Sequence, residues 1–411
     1  MARPGDPDPA AARLAVFRGA GWARLCWISA GLTLLAGGAV FGLYVPYLAS
    51  TEGEEIRIDF MVFWGAAQLA LAGDPVGTLD REILGASQAA LQQDWLPWVY
   101  PPGFLLAVAP LGLLPFWAAW TVFAWGSVLA FVAALRPFAG GVTPLLLGIA
   151  FAPGILTALI LGQTTLWWFA GLLAALAALR RRKEVLAGVL IGLLTLKPQL
   201  GLLIPVALIA GGYWRAVAAA SVTALGLAAL GTAVVGWNYW PALAEAAAVH
   251  RDFLVAIAPD NQLMISPYAL MAGIGVPHGP AIGAQWALSA AAALAVFLVW
   301  RRAGGSFDLR VAVLVAGIAV ATPYFWYYEG AVLAVISLFL WRAGTLGPGP
   351  LAALLTVAFW LGPTPMILLD LLNGPEDAPL RETVVPLALL AFALAVTGAV
   401  RDPAARAGAN G

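Results

Sequence analysis

The chain has 411 residues, of which 62% are hydrophobic and only 10% are charged, and its 21 basic residues balance its 21 acidic residues. Soluble domains carry about 25% charged residues, so this composition excludes an ordinary soluble protein. Because open sheets cannot satisfy their backbone groups in lipid, the sequence predicts an all-α fold, a polytopic transmembrane helical bundle. Membrane lipids are therefore expected as partners, and nucleic acid is not.

The predicted organisation is a single membrane domain, residues 22–400, between two cytoplasmic tails, residues 1–21 and 401–411. The first span is predicted from Trp22 to Leu48, an apolar run that is too long for a cleaved signal peptide. The only cysteine, Cys26, lies in this run, so no internal disulfide is possible, and we interpret it as a small packing residue.

An acidic segment, residues 49–98, follows as a first outer loop, and it is predicted to contain two short helices. The stretch from Phe60 to Ala72 is almost wholly apolar and ends at Gly73-Asp74-Pro75, which is typical of a helix stop. It is too short to cross a membrane and fits a helix that lies in the interface. A second helix, which mixes charged and apolar residues, is predicted from about Leu79 to Asp94.

Beyond this loop the chain alternates apolar runs with short breaks. Tyr100-Pro101-Pro102 opens an uncharged run to Leu135, which we interpret as one span interrupted near Leu114-Pro115. A second outer loop is predicted at residues 237–280. The remaining predicted spans, which bring the total to about 12, are Val142–Leu161, Thr164–Leu179, Val185–Leu196, Pro198–Gly211, Ala216–Gly236, Ala281–Trp300, Val311–Ala321, Trp326–Trp341, Leu351–Leu369 and Val384–Val400.

The basic residues predict the orientation of the bundle. All but five of the 21 lysines and arginines fall on one side of the predicted spans, and loops rich in these residues stay cytoplasmic. The five on the other side are Arg57, Arg81, Lys197, Arg251 and Arg381. The sequence thus predicts a multi-pass protein of the plasma (inner) membrane, with both termini cytoplasmic and both outer loops facing a periplasm or the cell exterior.

Asp59 is the first candidate for chemistry, because it stands directly before the apolar helix of the first outer loop. One interpretation is structural: an aspartate in this position is a good N-cap, worth about 1 kcal/mol. The other is catalytic, since a helix N-terminus favours the charged form of a carboxylate that awaits a proton. The two roles are compatible.

Lys197 is the second candidate, the only charged residue between Val185 and Trp214. A lysine near mid-membrane costs about 2.5–3.5 kcal/mol on insertion scales, and Pro198 after it cannot continue a helix. The pattern indicates two short half-spans with Lys197 and Gln199 at the bend, within reach of an anion at the outer headgroup level. The competing interpretation is a lysine whose charged end extends to the interface.

Other polar residues also lie at outer ends of predicted spans, among them Gln163, Tyr328 and Glu329. Each has a structural alternative as a solvated, backbone-bonding or interfacial residue. His250 and His278 have no neighbouring His or Cys at ligand spacing and are poor zinc candidates. No metal site and no cofactor are therefore predicted, and no phosphate-binding glycine loop occurs.

A series of short motifs resembles glycosyltransferase family 87 of the GT-C superfamily, which includes polyprenol-phosphate-mannose-dependent mannosyltransferases. The motifs are Ile58-Asp59-Phe60, Phe63-Trp64-Gly65-Ala66-Ala67, Gly73-Asp74-Pro75, Tyr100-Pro101-Pro102, Gly162-Gln163 and Leu196-Lys197-Pro198-Gln199. Their order is specific although each is weak alone. The chain departs from the family pattern at Val76-Gly77, where an aromatic residue is usual, and at Thr322-Pro323-Tyr324 and Tyr328-Glu329, where several relatives have histidines.

The resemblance implies a GT-C fold, a polyprenyl-phosphate-linked sugar as donor, and a glycolipid or glycan acceptor at the outer face. It places the catalytic aspartate on Asp59. In the resulting hypothesis, Lys197 and Arg57 stabilise the leaving phosphate while Asp59 takes the proton of the acceptor hydroxyl, with inversion. The residues expected to bind substrate are Arg57, Tyr100, Gln163, Lys197, Gln199, Tyr328 and Glu329.

Two other classes of function fit parts of the pattern. A transporter or flippase for lipid-linked sugars would also use broken helices with a buried cation, although we find no repeated halves. A noncatalytic membrane scaffold would use the acidic outer loop as a docking surface. Turnover of a labelled donor distinguishes the enzyme from both.

Overall fold

The computed structural model describes residues 9–50, 58–89, 96–302, 304–366 and 379–402. Within these ranges the regular structure is helical, which confirms the predicted class. The α-helices, numbered in chain order, are α1 Pro9–Leu14, α2 Ala20–Ala39, α3 Val45–Ser50, α4 Phe60–Leu71, α5 Arg81–Ala89, α6 Pro102–Val108, α7 Phe116–Leu135, α8 Thr143–Ala150, α9 Leu156–Ile160, α10 Thr165–Arg180, α11 Glu184–Leu193, α12 Leu203–Ala210, α13 Trp214–Val235, α14 Tyr239–Ile257, α15 Pro267–Gly273, α16 His278–Trp300, α17 Phe307–Ala321, α18 Val332–Ala343, α19 Pro350–Leu361 and α20 Leu380–Arg401.

Six helical segments in the described residues are long and apolar enough to cross a membrane. They are Ala20–Tyr47, Phe116–Phe138, Thr143–Leu161, Trp214–Val235, His278–Trp300 and Leu380–Arg401. Each coincides with a predicted span. The other predicted spans correspond to shorter helices such as Thr165–Arg180 and Pro350–Leu361, so the total of about twelve is not confirmed.

The centre of the bundle is α17. It is buried from Leu309 to Ala321 and packs against α16, α18 and α20. A helix that is hydrophobic all round must be enclosed by protein or lipid, and here neighbouring helices supply that enclosure. The apolar sequence of this segment therefore predicts burial, but it does not distinguish burial in protein from burial in lipid.

The breaks predicted from proline and glycine lie where the sequence placed them. The chain is extended at Leu114 and Pro115, between a 3-10 turn that ends at Leu113 and the start of α7. In the first outer loop, α4 ends at Leu71, and Gly73 adopts a positive φ of 86°. Residues 90–95, which include the predicted end of the second loop helix, lie outside the described residues.

Two short apolar helical segments lie on either side of Lys197, where the sequence predicted two half-spans. Helix α11 passes into a 3-10 turn, Leu194–Leu196, and a second 3-10 turn, Pro198–Gly201, precedes α12. Lys197 lies between the two turns with φ −130° and ψ 75°. A residue before proline is disfavoured in the α conformation, which explains why the helix stops at this residue.

Candidate functional site

A cavity of about 500 Å³ lies at one end of the bundle, and residues distant in sequence surround it. Its wall combines apolar and aromatic side chains with a few polar groups, as is usual for a small-molecule site. The polar and aromatic residues of the wall include Asp59, Tyr100, Gln163, Lys197, Gln199, His250, Asn261, Tyr324, Trp326, Tyr327 and Tyr328. The cavity thus joins the first outer loop, the Lys197 bend and the second outer loop.

Asp59 occupies the N-cap position of α4, but its side chain makes no capping hydrogen bond. Its Oδ2 instead accepts a hydrogen bond from Nε2 of Gln163 at 2.6 Å. The side chain of Asp59 therefore does not cap the helix, and that interpretation is wrong. Asp59 lines the cavity instead. The backbone N–H of Phe60 donates to the carbonyl of Leu161 at 2.9 Å, which fixes the start of α4 against the turn that carries Gln163.

Gly162 makes the approach between Asp59 and Gln163 possible. It has a positive φ of 64°, and the turn is closed by the N–H of Gln163 bonding to the carbonyl of Ala158 at 3.0 Å. A Cβ at Gly162 would lie 2.7 Å from Cβ of Phe60 and 2.9 Å from Cδ1 of Trp120. Glycine is thus required here both for the left-handed backbone and for the space.

Lys197 is buried, with a side chain 5% exposed, and its Nζ lies 2.7 Å from Oε1 of Glu329, whose side chain is 1% exposed. The two groups are close enough for an ion pair but are not aligned as a hydrogen bond. The same Nζ lies 5.1 Å from the ring centroid of Tyr328, within the range of a cation–π contact. The alternative in which Lys197 extends to the interface is therefore wrong.

Glu329 fixes the lysine from the protein side, because it pairs with Lys197 but is not part of the cavity wall. Its second oxygen, Oε2, accepts a hydrogen bond from the backbone N–H of Trp326 at 3.0 Å. The segment around Trp326 is in turn paired with the second outer loop, since the N–H of Ile265 donates to the carbonyl of Phe325 at 2.7 Å. One carboxylate therefore holds both the lysine and the chain that borders the cavity.

Tyr100 is held in the wall through its backbone. The hydroxyl of Tyr239 donates to the carbonyl of Tyr100 at 3.0 Å and accepts from Nε1 of Trp98 at 2.7 Å. Burial raises the pKa of Tyr100, and the nearby carboxylates of Glu329 and Asp59 raise it further. The phenol therefore keeps its proton and remains a hydrogen-bond donor.

The charge state of Asp59 reflects three opposing influences. Burial raises the pKa of Asp59, and this effect is larger than the lowering caused by the hydrogen bond from Gln163 and by the positive charge of Lys197. A buried carboxylate whose proton affinity is increased is a stronger base than one in water. Asp59 can therefore accept a proton in a cavity that Lys197 also lines.

The structure brings most of the predicted site residues together. Asp59, Tyr100, Gln163, Lys197, Gln199 and Tyr328 all line the cavity, and Glu329 contacts it through Lys197. Arg57 lies outside the described residues. The sequence predicted that these residues share one site, and the role of each residue stays a prediction.

His250 was missed as a cavity residue, since the sequence offered only a test for zinc ligands. It lines the cavity, its Nδ1 is buried without a hydrogen-bond partner among the described residues, and burial lowers the pKa of His250. Its spacing with Leu254 and Ile257 on α14 is the one sequence signal that could have placed it on a single helix face. In the described part of the chain, no group of three or more His, Cys, Asp or Glu is arranged to hold a metal ion.

In the comparison with protein-family models, the chain matches glycosyltransferase family 87 over residues 98–325, which is more than half of the 411 residues. This region includes Tyr100, Gln163, Lys197 and Gln199, and it begins after Asp59 and ends before Glu329. No curated protein and no solved structure gives a significant match.

Proposed function

The chain belongs to glycosyltransferase family 87, and from this premise we propose that it transfers a sugar from a polyprenyl-phosphate donor to a lipid or glycan acceptor at the outer membrane face. One observation carries the proposal. The side chains of Asp59 and Lys197 line the same cavity, although they are far apart in sequence. A base and a fixed cation beside one cavity are what phosphate-linked glycosyl transfer requires.

Lys197 would stabilise the donor phosphate as the bond to the sugar breaks. The phosphate oxygen that leaves the anomeric carbon takes the bonding electron pair, so negative charge increases on the leaving group. An ammonium group has three N–H donors, and the ion pair with Glu329 engages only one side of Lys197. Such preorganised electrostatics is usually the largest single contribution to catalysis.

Asp59 would act as the general base. The acceptor oxygen forms the new bond to the anomeric carbon, and its proton passes to the Asp59 carboxylate. Gln163 holds Oδ2 at 2.6 Å, which fixes the direction of the carboxylate. A positioned base contributes typically about 10²–10⁴-fold to a rate.

The transfer is proposed to invert the anomeric centre. Retention through a covalent intermediate uses a second carboxylate as nucleophile or acid. Among the described residues that line the cavity, Asp59 is the one carboxylate, since Glu329 is paired with Lys197 behind the wall. A single displacement is therefore the favoured course.

The proposal is tested with the full-length protein in lipid nanodiscs, labelled polyprenyl-phosphate mannose and related donors, and membrane glycolipids from the organism that makes the protein. Asp59→Asn should reduce transfer at least 100-fold, whereas Glu245→Gln, an exposed change on α14, should not. Because burial raises the pKa of Asp59, its charged form destabilises the fold above that pKa, so Asp59→Asn should unfold at the same or a higher temperature.

Two outcomes would refute the proposal. Full transfer activity in Asp59→Asn would remove this residue from the mechanism. Movement of label across a vesicle membrane without donor turnover would identify a flippase instead. The anomeric configuration of the product, measured by proton NMR, decides between inversion and retention.

A further inference from the structure

A second cavity of about 510 Å³ lies beside the first, and Tyr324 lines both. The walls of the second cavity are formed by Arg251, Asp252, Val255, His278, Ile282, Trp286, Pro323 and Tyr324. None of these residues except Tyr324 belongs to the wall of the first cavity. A ligand in the second cavity would thus contact a residue that also lines the cavity of Asp59 and Lys197.

Helix α14 is the partition between the two cavities. His250, Leu254 and Ile257 face the first cavity, at spacings of four and three residues. Arg251 and Val255, four residues apart, face the second. Residues three or four apart lie on one helix face, so α14 presents a different face to each cavity.

Helix α16 forms the opposite wall of the second cavity through one stripe of side chains along a single helix face. His278, Ile282 and Trp286 follow each other at intervals of four residues. At 1.5 Å per residue this stripe extends about 12 Å along the helix, which is a candidate membrane span. Trp286 is 53% exposed on the surface of the bundle. The second cavity is therefore polar at the end of the span and apolar along it.

The polar end has the chemistry of a site for a neutral, hydroxyl-rich group. Nη2 of Arg251 lies 2.8 Å from Oδ1 of Asp252, and both side chains are more than half exposed. Their charges compensate each other, so the pair does not favour an anion, while its donors and acceptors match neighbouring hydroxyl groups. His278 Nδ1 is engaged by the hydroxyl of Tyr268 at 3.0 Å, which leaves Nε2 for a ligand.

We propose, on the basis of the proposed function, that the second cavity binds the acceptor: a glycolipid whose saccharide lies among Arg251, Asp252, His278 and Tyr324, with its lipid chain along Ile282 and Trp286. Tyr324 then marks the point at which the acceptor hydroxyl passes from the second cavity into the first. The two substrates enter from opposite faces of α14.

The kinetic test measures the Michaelis constants for donor and acceptor separately, with the full-length protein in nanodiscs. Asp252→Ala and Trp286→Ala should each raise the KM for the glycolipid acceptor about tenfold, the loss of one good polar or aromatic contact, with the KM for the donor within about twofold of the wild-type value. Glu245→Ala and Leu294→Ala are the matched controls, because they are exposed on the same two helices and border neither cavity. A rise in the donor KM, or no rise in the acceptor KM, would overturn the assignment.

A binding test that does not depend on activity uses methyl glycosides of mannose, glucose and galactose, observed by saturation-transfer NMR, with methyl phosphate as the anionic comparison. Saturation of a sugar ring that falls at least fivefold in Asp252→Ala and persists in Glu245→Ala supports the site. No saturation, or preferential binding of methyl phosphate, contradicts it.

The two tests distinguish failure of the site from failure of the proposed function. If the wild-type protein transfers saturation to the sugars but does not transfer sugar to an acceptor, the proposed function fails and the binding site stands. If it transfers sugar with unchanged acceptor KM in both variants, the site alone fails.

Discussion

The two ends of the bundle use charged side chains in opposite ways. One end, here called the arginine end, contains Arg342, whose side chain is 1% exposed. Nε of Arg342 lies 2.7 Å from Oδ1 of Asp308, and Nη1 donates a hydrogen bond to the carbonyl of Phe138 at 2.6 Å. The carbonyl of Arg342 itself accepts from Nη1 of Arg13 at 2.6 Å. Further arginines at this end also donate to backbone carbonyls: Arg180 to Pro137, Arg302 to Ala399 and Arg310 to Arg302.

At the other end, here called the cavity end, Asp59 and Lys197 line a cavity. Within the part of the chain that the structure describes, Asp59 has one side-chain hydrogen-bond partner, Gln163, and Lys197 has one ion-pair partner, Glu329. Two buried polar atoms of cavity-lining side chains, Oε1 of Gln163 and Nδ1 of His250, have no hydrogen-bond partner within the described ranges. Native proteins satisfy most buried polar groups, so such atoms in a cavity wall are expected where a ligand provides the partner.

The comparison shows that the buried arginines and the buried Lys197 have different surroundings. A guanidinium group has five donors in a fixed fork, and it ties several carbonyls together. Arg381 confirms this at the cavity end, where its Nη1 and Nη2 donate to the carbonyls of Ala258 and Pro259. Lys197, with a compact charge and one charged partner among the described residues, instead lines the cavity.

The largest effect is expected at Lys197. Lys197→Met should lower transfer about 10²–10³-fold, because in the proposed mechanism the donor phosphate would lose its fixed cation. It should also reduce the free energy of unfolding by about 3–5 kcal/mol, because Glu329 is left buried without its counter-charge. Transfer rates and denaturant unfolding measure the two effects.

The double variant Lys197→Met/Glu329→Gln separates them. Removing both charges should restore most of the stability and none of the activity. Recovery of transfer in the double variant would show that Lys197 serves only to balance Glu329, and the contrast between the two ends would no longer hold.

Arg342 should show the reverse behaviour. Arg342→Met leaves Asp308 and the carbonyl of Phe138 without their donor, and breaking a buried pair costs about 3–5 kcal/mol. The turnover number of the molecules that remain folded should stay close to that of the wild type. Arg301→Met, an exposed arginine at the same end, is the control and should change stability by no more than about 0.5 kcal/mol. A specific loss of turnover in Arg342→Met would contradict the structural role.

A smaller effect is expected at Gly162. Gly162→Ala places a side chain in a left-handed conformation, which costs about 1–2 kcal/mol, and its Cβ would meet Phe60 and Trp120 at 2.9 Å or less. Because Gln163 would move away from Asp59, transfer should fall by up to about 100-fold, the cost of roughly 1 Å of misplacement. Gly275→Ala has a similar positive φ but nothing within 4 Å, so it should lose stability alone. Equal transfer rates in the two variants would show that the turn does not position the carboxylate.

How much the sequence predicted depends on the range over which each signal acts. The break at Leu114-Pro115 and the start of α4 at Phe60 follow from local backbone rules, and both were predicted. The predicted number of spans is not confirmed, because an apolar run such as Phe307–Ala321 indicates burial in protein as readily as in lipid. The pairing of Lys197 with Glu329 depends on a contact distant in sequence, which leaves no local pattern. The spacing of His250 with Leu254 and Ile257 indicates a shared helix face, but it does not indicate which cavity that face borders.

The finest test of the cavity end is the pH dependence of transfer in Gln163→Met. A general base must be deprotonated, so activity is lost as the pH falls through the pKa of Asp59, which burial has already raised above its ordinary value. The hydrogen bond from Gln163 stabilises the charged carboxylate and holds that pKa down. Its removal should therefore move the acid limb of the pH profile of kcat/KM to higher pH, while at alkaline pH the rate approaches a plateau.

Gln199→Met, which changes a cavity residue without removing a bond to Asp59, should leave the acid limb in place. A shift of the limb to lower pH in Gln163→Met, or the same shift in both variants, would mean that the titrating group is not Asp59, and that the base lies elsewhere in the cavity.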